Sequence, residues 1–202
     1  MASEKREARR GFSIPAAAGM TYAPTMHRLF VAIRLPSPVR VRLLGLMGGV
    51  AGARWLGEDQ LHLTLRFIGE VDRHLARDVD AALSGIHSPR FEIALNGLGL
   101  FERRGEPVTL WAGVAPQQPL HALHKKIDQA LVRVGVEPDR RAYSPHVTIA
   151  RLPRGAGPVQ SLIEHSGGVA GPPFEVGDFC LYESRLTPQG PVYTIVERYS
   201  LV

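Results

Sequence analysis

Two short stretches hold the residues best suited to chemistry. In "LHLTLRFIGE" (61–70) and "SPHVTIARLP" (144–153) a histidine is followed two positions later by a threonine, with apolar residues between and after them. Strand side chains alternate between faces, so His62 and Thr64 share one face while Leu63 and Leu65 point into a core. His146 and Thr148 are set against Val147 and Ile149 in the same way. Each stretch puts a titratable imidazole beside a hydroxyl donor on a rigid element. A neutral imidazole can take a proton from water, a protonated one can give a proton to a leaving oxygen, and the hydroxyls can hold the nonbridging oxygens of a phosphate. The pair fits general acid–base cleavage of a phosphodiester.

Chance does not explain the repetition. With 8 His, 7 Thr and 45% hydrophobic residues, random placement gives about 0.06 occurrences of His-apolar-Thr-apolar. Two occurrences, in corresponding halves, therefore indicate a site. Zinc is disfavoured, because each motif offers one nitrogen, no carboxylate shares either face, and one cysteine cannot complete a ligand set. His121 and His124, three apart in "HALHKK", read as a solvated helix face, and His27, His74, His87 and His165 as surface or packing residues. There is no Gly-x-Ser-x-Gly elbow and no Gly-Lys-Ser/Thr phosphate loop, and "NGLGLF" lacks the third glycine of a dinucleotide fingerprint. Arginine can add charge stabilisation. In a regular strand Arg66, four past His62, stays on the histidine face, whereas Arg151, five past His146, points away unless the strand bulges or ends. Phe67, by the same alternation, falls on the core side.

The elements that must position these residues alternate along the chain. Residues 28–35 read as a strand, and 37–49 as a helix opened by Ser37 and Pro38 and closed by Gly48. Extended segments over 53–69 include the first motif, and Asp72 can cap a helix over 73–84. "FEIALNGLGLF" and "PVTLWAGVA" read as paired strands that end the first half. From Pro119 to about Gly135, Leu120, Leu123, Ile127, Leu131 and Val134 have helical spacing, and the second motif strand follows at 146–152. A Gly/Pro-rich segment, a short helical stretch and two terminal strands, "FEVGDFCLYES" and "GPVYTIVERYSLV", close the chain. The layout predicts an α+β protein of two lobes related by an approximate internal repeat, each giving one motif strand to a shared cleft.

Composition sets the outer bounds. At 202 residues the chain suits a single domain over 26–202, and residues 1–25, which mix charges with Ala, Gly and Pro, read as a disordered extension with Met26 as an alternative start. That extension lacks the apolar run of a secretion signal, and Glu4 and Glu7 oppose an organellar transit peptide. No apolar run approaches a membrane span. The lone Cys180 fits a reducing cytoplasm, where the protein is expected as a monomer. Net charge of +5 attracts polyanions but does not identify one. Only Lys5, Lys125 and Lys126 among the 24 basic residues are lysines. Arginine's planar fork suits phosphate, though genome composition can produce the same bias.

Together these residues carry a resemblance. "HRLFVAIRLP", "ARWLGEDQLHLTLRFIGEV", "LGLFERRGEPVTLWAGV", "YSPHVTIARLP" and "LYESRLTPQGPVYTIVERYSLV" are similar to the two-histidine phosphoesterases, specifically the RNA 2′,3′-cyclic phosphodiesterases also called 2′-5′ RNA ligases. The resemblance implies a bilobal α+β fold with a pseudo-twofold repeat and a central cleft. It implies metal-independent and cofactor-independent opening of a terminal 2′,3′-cyclic phosphate on RNA to a 2′-phosphate. His62 then matches the proton donor to the departing 3′ oxygen and His146 the base that activates water. Thr64 and Thr148 match phosphate-binding hydroxyls. Arg151 matches a phosphate-contacting position, which ranks it above Arg66 and implies an irregular strand end. Reversible 2′-5′ joining of RNA ends, cleavage of another cyclic phosphate, and a non-catalytic RNA-end module remain alternatives.

Overall fold

Alternating apolar residues build the strands, and the strands pair antiparallel throughout. The structure, a computed structural model, describes residues 26–165, 169–188 and 190–202, so the extension expected over 1–25 lies outside the described residues. The strands are β1 (His27–Arg34), β2 (Arg54–Trp55), β3 (His62–Val71), β4 (Phe91–Arg103), β5 (Glu106–Ala115), β6 (His146–Arg151), β7 (Phe174–Val176), β8 (Asp178–Thr187) and β9 (Gly190–Ser200). The helices are α1 (Ser37–Leu44), α2 (Arg73–Ser84), α3 (Gln118–Arg133) and α4 (Gln160–His165). The sheet order is β7-β4-β5-β6-β3-β1-β8-β9, with β2 on β6. The motif strands β3 and β6 are thus neighbours at the centre, with three further strands in line outside each.

The strands form one continuous sheet and do not sort into successive halves of the chain. β4 and β5, expected to close the first half, join β6 through pairs such as Gly113↔His146 and Ala112↔Val147. The last strands return to the first: β8 pairs with the edge of β1 not taken by β3. The terminal segment read as one strand breaks at Gly177, and its two parts, β7 and β8, serve opposite ends of the sheet. α1 stops at Leu44, short of the expected Gly48: the Gly45 N–H makes the last i→i−4 bond, to the Val41 carbonyl, and Leu46 and Met47 then turn more tightly onto the Leu43 and Leu44 carbonyls. The Asp72 cap is as expected, accepting from the His74 and Leu75 amides at 2.9 and 2.8 Å.

One face of the sheet is covered and the other is open. Ala76, Val79 and Leu83 of α2, and Leu120, Leu123, Ile127 and Leu131 of α3, pack into the main core with Val31, Ile33, Leu63, Leu65, Val147 and Ile149. Each buried Leu or Ile contributes about 1.5–3 kcal/mol of transfer free energy. The opposite face carries a small separate cluster of Phe30, Ala32, Cys180 and Tyr182, backed by Tyr193 and Ile195. Among the described residues no helix is long and apolar enough to cross a membrane.

Both motif strands bulge just past the threonine. In β3 the register passes from Ala32↔Thr64 to Val31↔Arg66, leaving Leu65 as the extra residue. Leu65 and Arg66 are consequently both buried, at 2% and 5% exposure, and Phe67 emerges at 62%. In β6 the register passes from Trp111↔Thr148 to Leu110↔Ala150, so Ile149 is extra, Ile149 and Ala150 are buried, and Arg151 emerges.

The first bulge corrects two expectations. Arg66 does not share the face of His62, contrary to the expectation from strand parity. It turns under the sheet, where Nε donates to Asp128 Oδ1 at 2.7 Å and the two terminal nitrogens donate to the Phe67 and Glu137 carbonyls. Phe67, expected in the core, is exposed. Arg66 therefore ties β3 to α3 and to the loop that leads to β6. Replacing it with alanine leaves a carboxylate and two carbonyls without their donor. Arg66→Ala is expected to destabilise the fold by about 3–5 kcal/mol in urea unfolding, and Arg66→Lys, with one nitrogen in place of a fork, to recover only part of that.

Candidate active site

The two motifs meet through one registered pair, Leu63↔Val147. Both are fully buried, which puts His62, Thr64, His146 and Thr148 together on the open face. Antiparallel register then sets His62 across from Thr148 and Thr64 across from His146, so each imidazole has a hydroxyl beside it in its own strand and another facing it. Arg151 joins them because of the Ile149 bulge. Its guanidinium donates to Thr109 Oγ1 at 2.9 Å, and its charge bears on both histidines.

Aromatic rings wall each imidazole. His62 lies 4.9 Å from Phe30, 5.2 Å from Tyr193 edge to face, and 6.0 Å from Tyr182, measured between ring centroids. Near Tyr193, β9 is tied to the residues just before β3, where Gln60 Nε2 donates to the Pro191 carbonyl at 3.0 Å. His146 lies 4.7 Å from Phe101, edge to face, and 6.1 Å from Trp111. Glycine makes room on that side. A Cβ on Gly99 would stand 2.2 Å from the Trp111 ring, and one on Gly113, opposite His146, 2.3 Å from the Asn96 carbonyl oxygen.

Each histidine has a backbone carbonyl two residues before it. His146 Nδ1 bonds the Ser144 carbonyl at 2.7 Å, which fixes its tautomer and aims Nε2 outward. The Gln60 carbonyl stands in the same relation to His62 and favours its charged form, but His62 Nδ1 makes no hydrogen bond of full geometry. Burial dominates both rings. Desolvation pushes His62 down to about 4, helped by the charges of His146 and Arg151 and opposed by the Gln60 carbonyl. His146 is also pushed below its ordinary value, first by burial and then by Arg151, against the Ser144 bond. At neutral pH both rings of the free protein are uncharged and Arg151 is the cation among these groups.

Several contributing residues escaped the sequence reading. Phe30 could have been found from its alternation with Ala32 and Arg34 in β1. Tyr193, Phe101 and Trp111 could not, since they reach the histidines through long-range strand pairing. Tyr143 braces the site, its hydroxyl donating to the Thr64 carbonyl at 3.2 Å and holding the loop before His146 against β3. That ring stacks on His124 at 4.1 Å and meets His121 edge-on at 5.4 Å, so these two histidines pack an aromatic side chain. His27 is buried and bonds Glu183 at 2.8 Å, while His74 and His87 are exposed. Among the described residues no three His, Cys, Asp or Glu side chains converge as a metal ligand set.

Known proteins share this arrangement of strands. A family model described as the 2′-5′ RNA ligase superfamily matches residues 40–187. A protein of Archaeoglobus fulgidus named RNA 2′,3′-cyclic phosphodiesterase is 31% identical over 169 residues, covering 82% of this chain and 96% of its own. One of the same name from Aeropyrum pernix is 36% identical over 140 residues, 67% and 79% of the two chains. A crystal structure of a phosphoesterase superposes with a TM-score of 0.72 at 25% identity, covering 89% of this chain and 99% of the other. By the family match across most of its length and by these relatives, the chain belongs to the 2′-5′ RNA ligase superfamily.

Proposed function

We propose that this protein is an RNA 2′,3′-cyclic phosphodiesterase that opens a terminal 2′,3′-cyclic phosphate to a 2′-phosphate with two histidines and no metal. The observation that carries this reading is the single Leu63↔Val147 pair, which gathers two imidazoles and two hydroxyls on one open face. The names of the relatives support the same substrate class.

The chemistry needs one proton removed and one supplied. Neutral His146 takes a proton from water through Nε2 as the water oxygen bonds to phosphorus. The bond from phosphorus to the 3′ oxygen breaks, and protonated His62 gives its proton to that oxygen. Thr64 and Thr148 donate to the nonbridging oxygens, and Arg151 balances the charge that builds up on them. His62, walled by Phe30 and Tyr193, is the more desolvated ring. Once protonated it is the stronger acid, and the substrate's phosphate anion supplies the field that charges it. The same rings shield His62 from bulk water, which strengthens its charge interactions, while half-buried His146 stays open to the attacking water.

Three outcomes are expected. His62→Asn and His146→Asn each lower kcat/KM on an oligonucleotide ending in 2′,3′-cyclic phosphate by about 10²–10⁴-fold, the range for loss of a general acid or base. Unfolding midpoints run in parallel will show the loss to be chemical. EDTA leaves the rate unchanged, since two nitrogens fall short of the four-ligand set zinc takes; restoration by zinc after chelation would refute the mechanism.

The third outcome concerns pH. Only the form with one neutral and one charged imidazole is productive, so kcat/KM is bell-shaped. Both rings are lowered in the free protein, His62 to about 4 and His146 below 6.5, so the maximum falls on the acid side of 6.5. Activity drops toward lower pH as the base becomes protonated and toward higher pH as the acid empties. The kcat profile lies to the alkaline side of it, because bound phosphate raises both rings. A kcat/KM that climbs steadily into the alkaline range would contradict the two-histidine scheme.

A further inference from the structure

Arg34 ends β1 on the face that carries Phe30 and Ala32, directly opposite His62 in the β1–β3 ladder. It is exposed, and among the described residues its side chain makes no hydrogen bond and no ion pair. It lines a cavity of about 360 Å³ together with Ser37, Arg40, Glu175, Asp178 and Arg198. The other charges there are matched. Arg198 holds Asp178 at 2.8 Å, Arg90 holds Glu175 at 3.2 Å, and Arg40 holds Glu58 at 3.0 Å. Arg34 is the positive charge left over. The charges of Arg34 and Arg198 both bear on the Tyr182 phenol, whose ring centroid is 6.0 Å from that of His62. Arg34, which lines the cavity and pairs across from His62, joins the cavity to the histidine face.

Nucleotide chemistry gives this position a meaning. In a 2′,3′-cyclic phosphate the phosphorus bridges the 2′ and 3′ oxygens. The base leaves from C1′, beside C2′, and the 5′ carbon leaves from C4′, beside C3′, so base and 5′-phosphate diverge on either side of the cyclic phosphate. The protein face is divided likewise around His62 and Thr64. Toward Phe67 the paired rows are aromatic, with Phe30 6.0 Å from Phe67 and stacked on Tyr182 at 5.0 Å. Toward Arg34 they are cationic.

We infer that Arg34 and the cavity it lines form a subsite for the phosphodiester on the 5′ carbon of the nucleotide that bears the cyclic phosphate. The inference rests on the phosphodiesterase reading above and adds that the substrate is at least a dinucleotide. An arginine fork pairs well with phosphate oxygens. A singly charged diester matches one uncompensated cation, while Glu175 and Asp178 in the same wall disfavour a doubly charged monoester. The subsite thereby selects an RNA end over a free cyclic mononucleotide.

The experiment compares kcat/KM on three substrates: a nucleoside 2′,3′-cyclic phosphate, a dinucleotide with the same cyclic end, and that dinucleotide with a neutral methylphosphonate linkage. The native protein is expected to prefer the phosphodiester-linked dinucleotide over the other two by about tenfold, the scale of one charge-assisted contact. In Arg34→Ala the ratio falls to near one, and in Arg34→Lys it is partly kept. Equal kcat/KM on all three substrates in the native protein rejects the subsite alone. So does a methylphosphonate dinucleotide that performs as well as the charged one, since the second nucleoside would then be the source of preference. If Arg34→Ala slows all three alike and the ratio persists, Arg34 is structural and the inference is wrong. Activity on none of the three overturns the phosphodiesterase reading, and the subsite falls with it.

Discussion

The edge-to-edge contact of β3 and β6 is the constraint on which the rest of the structure depends. Only Leu63↔Val147 is registered between them, yet that pair decides which side chains meet. Strand side chains have a period of two, so a slip of one residue in either strand would send its histidine and threonine into the core and bring leucine or valine to the open face. The cost of burying an imidazole and a hydroxyl among Val31, Ile33 and Ile149 guards the register more firmly than the few hydrogen bonds of so short a contact. The braces around it work in the same direction. Arg66 ties β3 to α3 and to the Glu137 carbonyl, and Tyr143 ties the loop before His146 to the Thr64 carbonyl. Both cross between the segments that carry the two motifs.

The bulges give the two strands different partners for the same backbone. Each strand has an extra buried residue after its threonine, and each then returns a side chain to the open face five positions past its histidine. In β6 that side chain is Arg151, and in β3 it is Phe67. A regular strand in either place would have exchanged a charged or aromatic group on the open face for the residue now beneath it. The asymmetry leaves one side of the histidine pair with a guanidinium and the other with an exposed ring, which suits an anion with an aromatic group on one side of it.

Burial sets the electrostatic state that a substrate meets. Phe30, Tyr182 and Tyr193 around His62, and Phe101 and Trp111 around His146, exclude water and hold both imidazoles neutral in the free protein. A desolvated site with Arg151 as its nearby cation is poised for an anion. Under the proposed mechanism, the anion's arrival does the charging, so the acid acquires its proton when there is something to cleave.

How much could be read in advance depends on the range of the interactions. The histidine and threonine faces, the amphipathic faces of α2 and α3 and the Asp72 cap follow from local spacing, because alternation and helical periodicity are properties of a few neighbouring residues. The α+β class was legible from the alternation of elements. The pairing of the strands was not, since β8 finds β1 across most of the chain and β4–β5 finds β6 only after α3 intervenes. Alternation could not place the bulges, since neither Leu65 nor Ile149 differs in type from a regular core residue; the family resemblance implied an irregular strand end at Arg151, and the registers of β1 and β5 show which position is extra in each strand. Two displaced residues decided the rest: Leu65 made Arg66 a brace and Phe67 a surface ring, and Ile149 turned Arg151 toward the histidines. The sequence by itself determined which groups can carry out acid–base chemistry and which face of each strand bears them. Tertiary structure decided which of the flanking residues join them, because strand pairing and the bulges within it depend on contacts with residues far away in the chain.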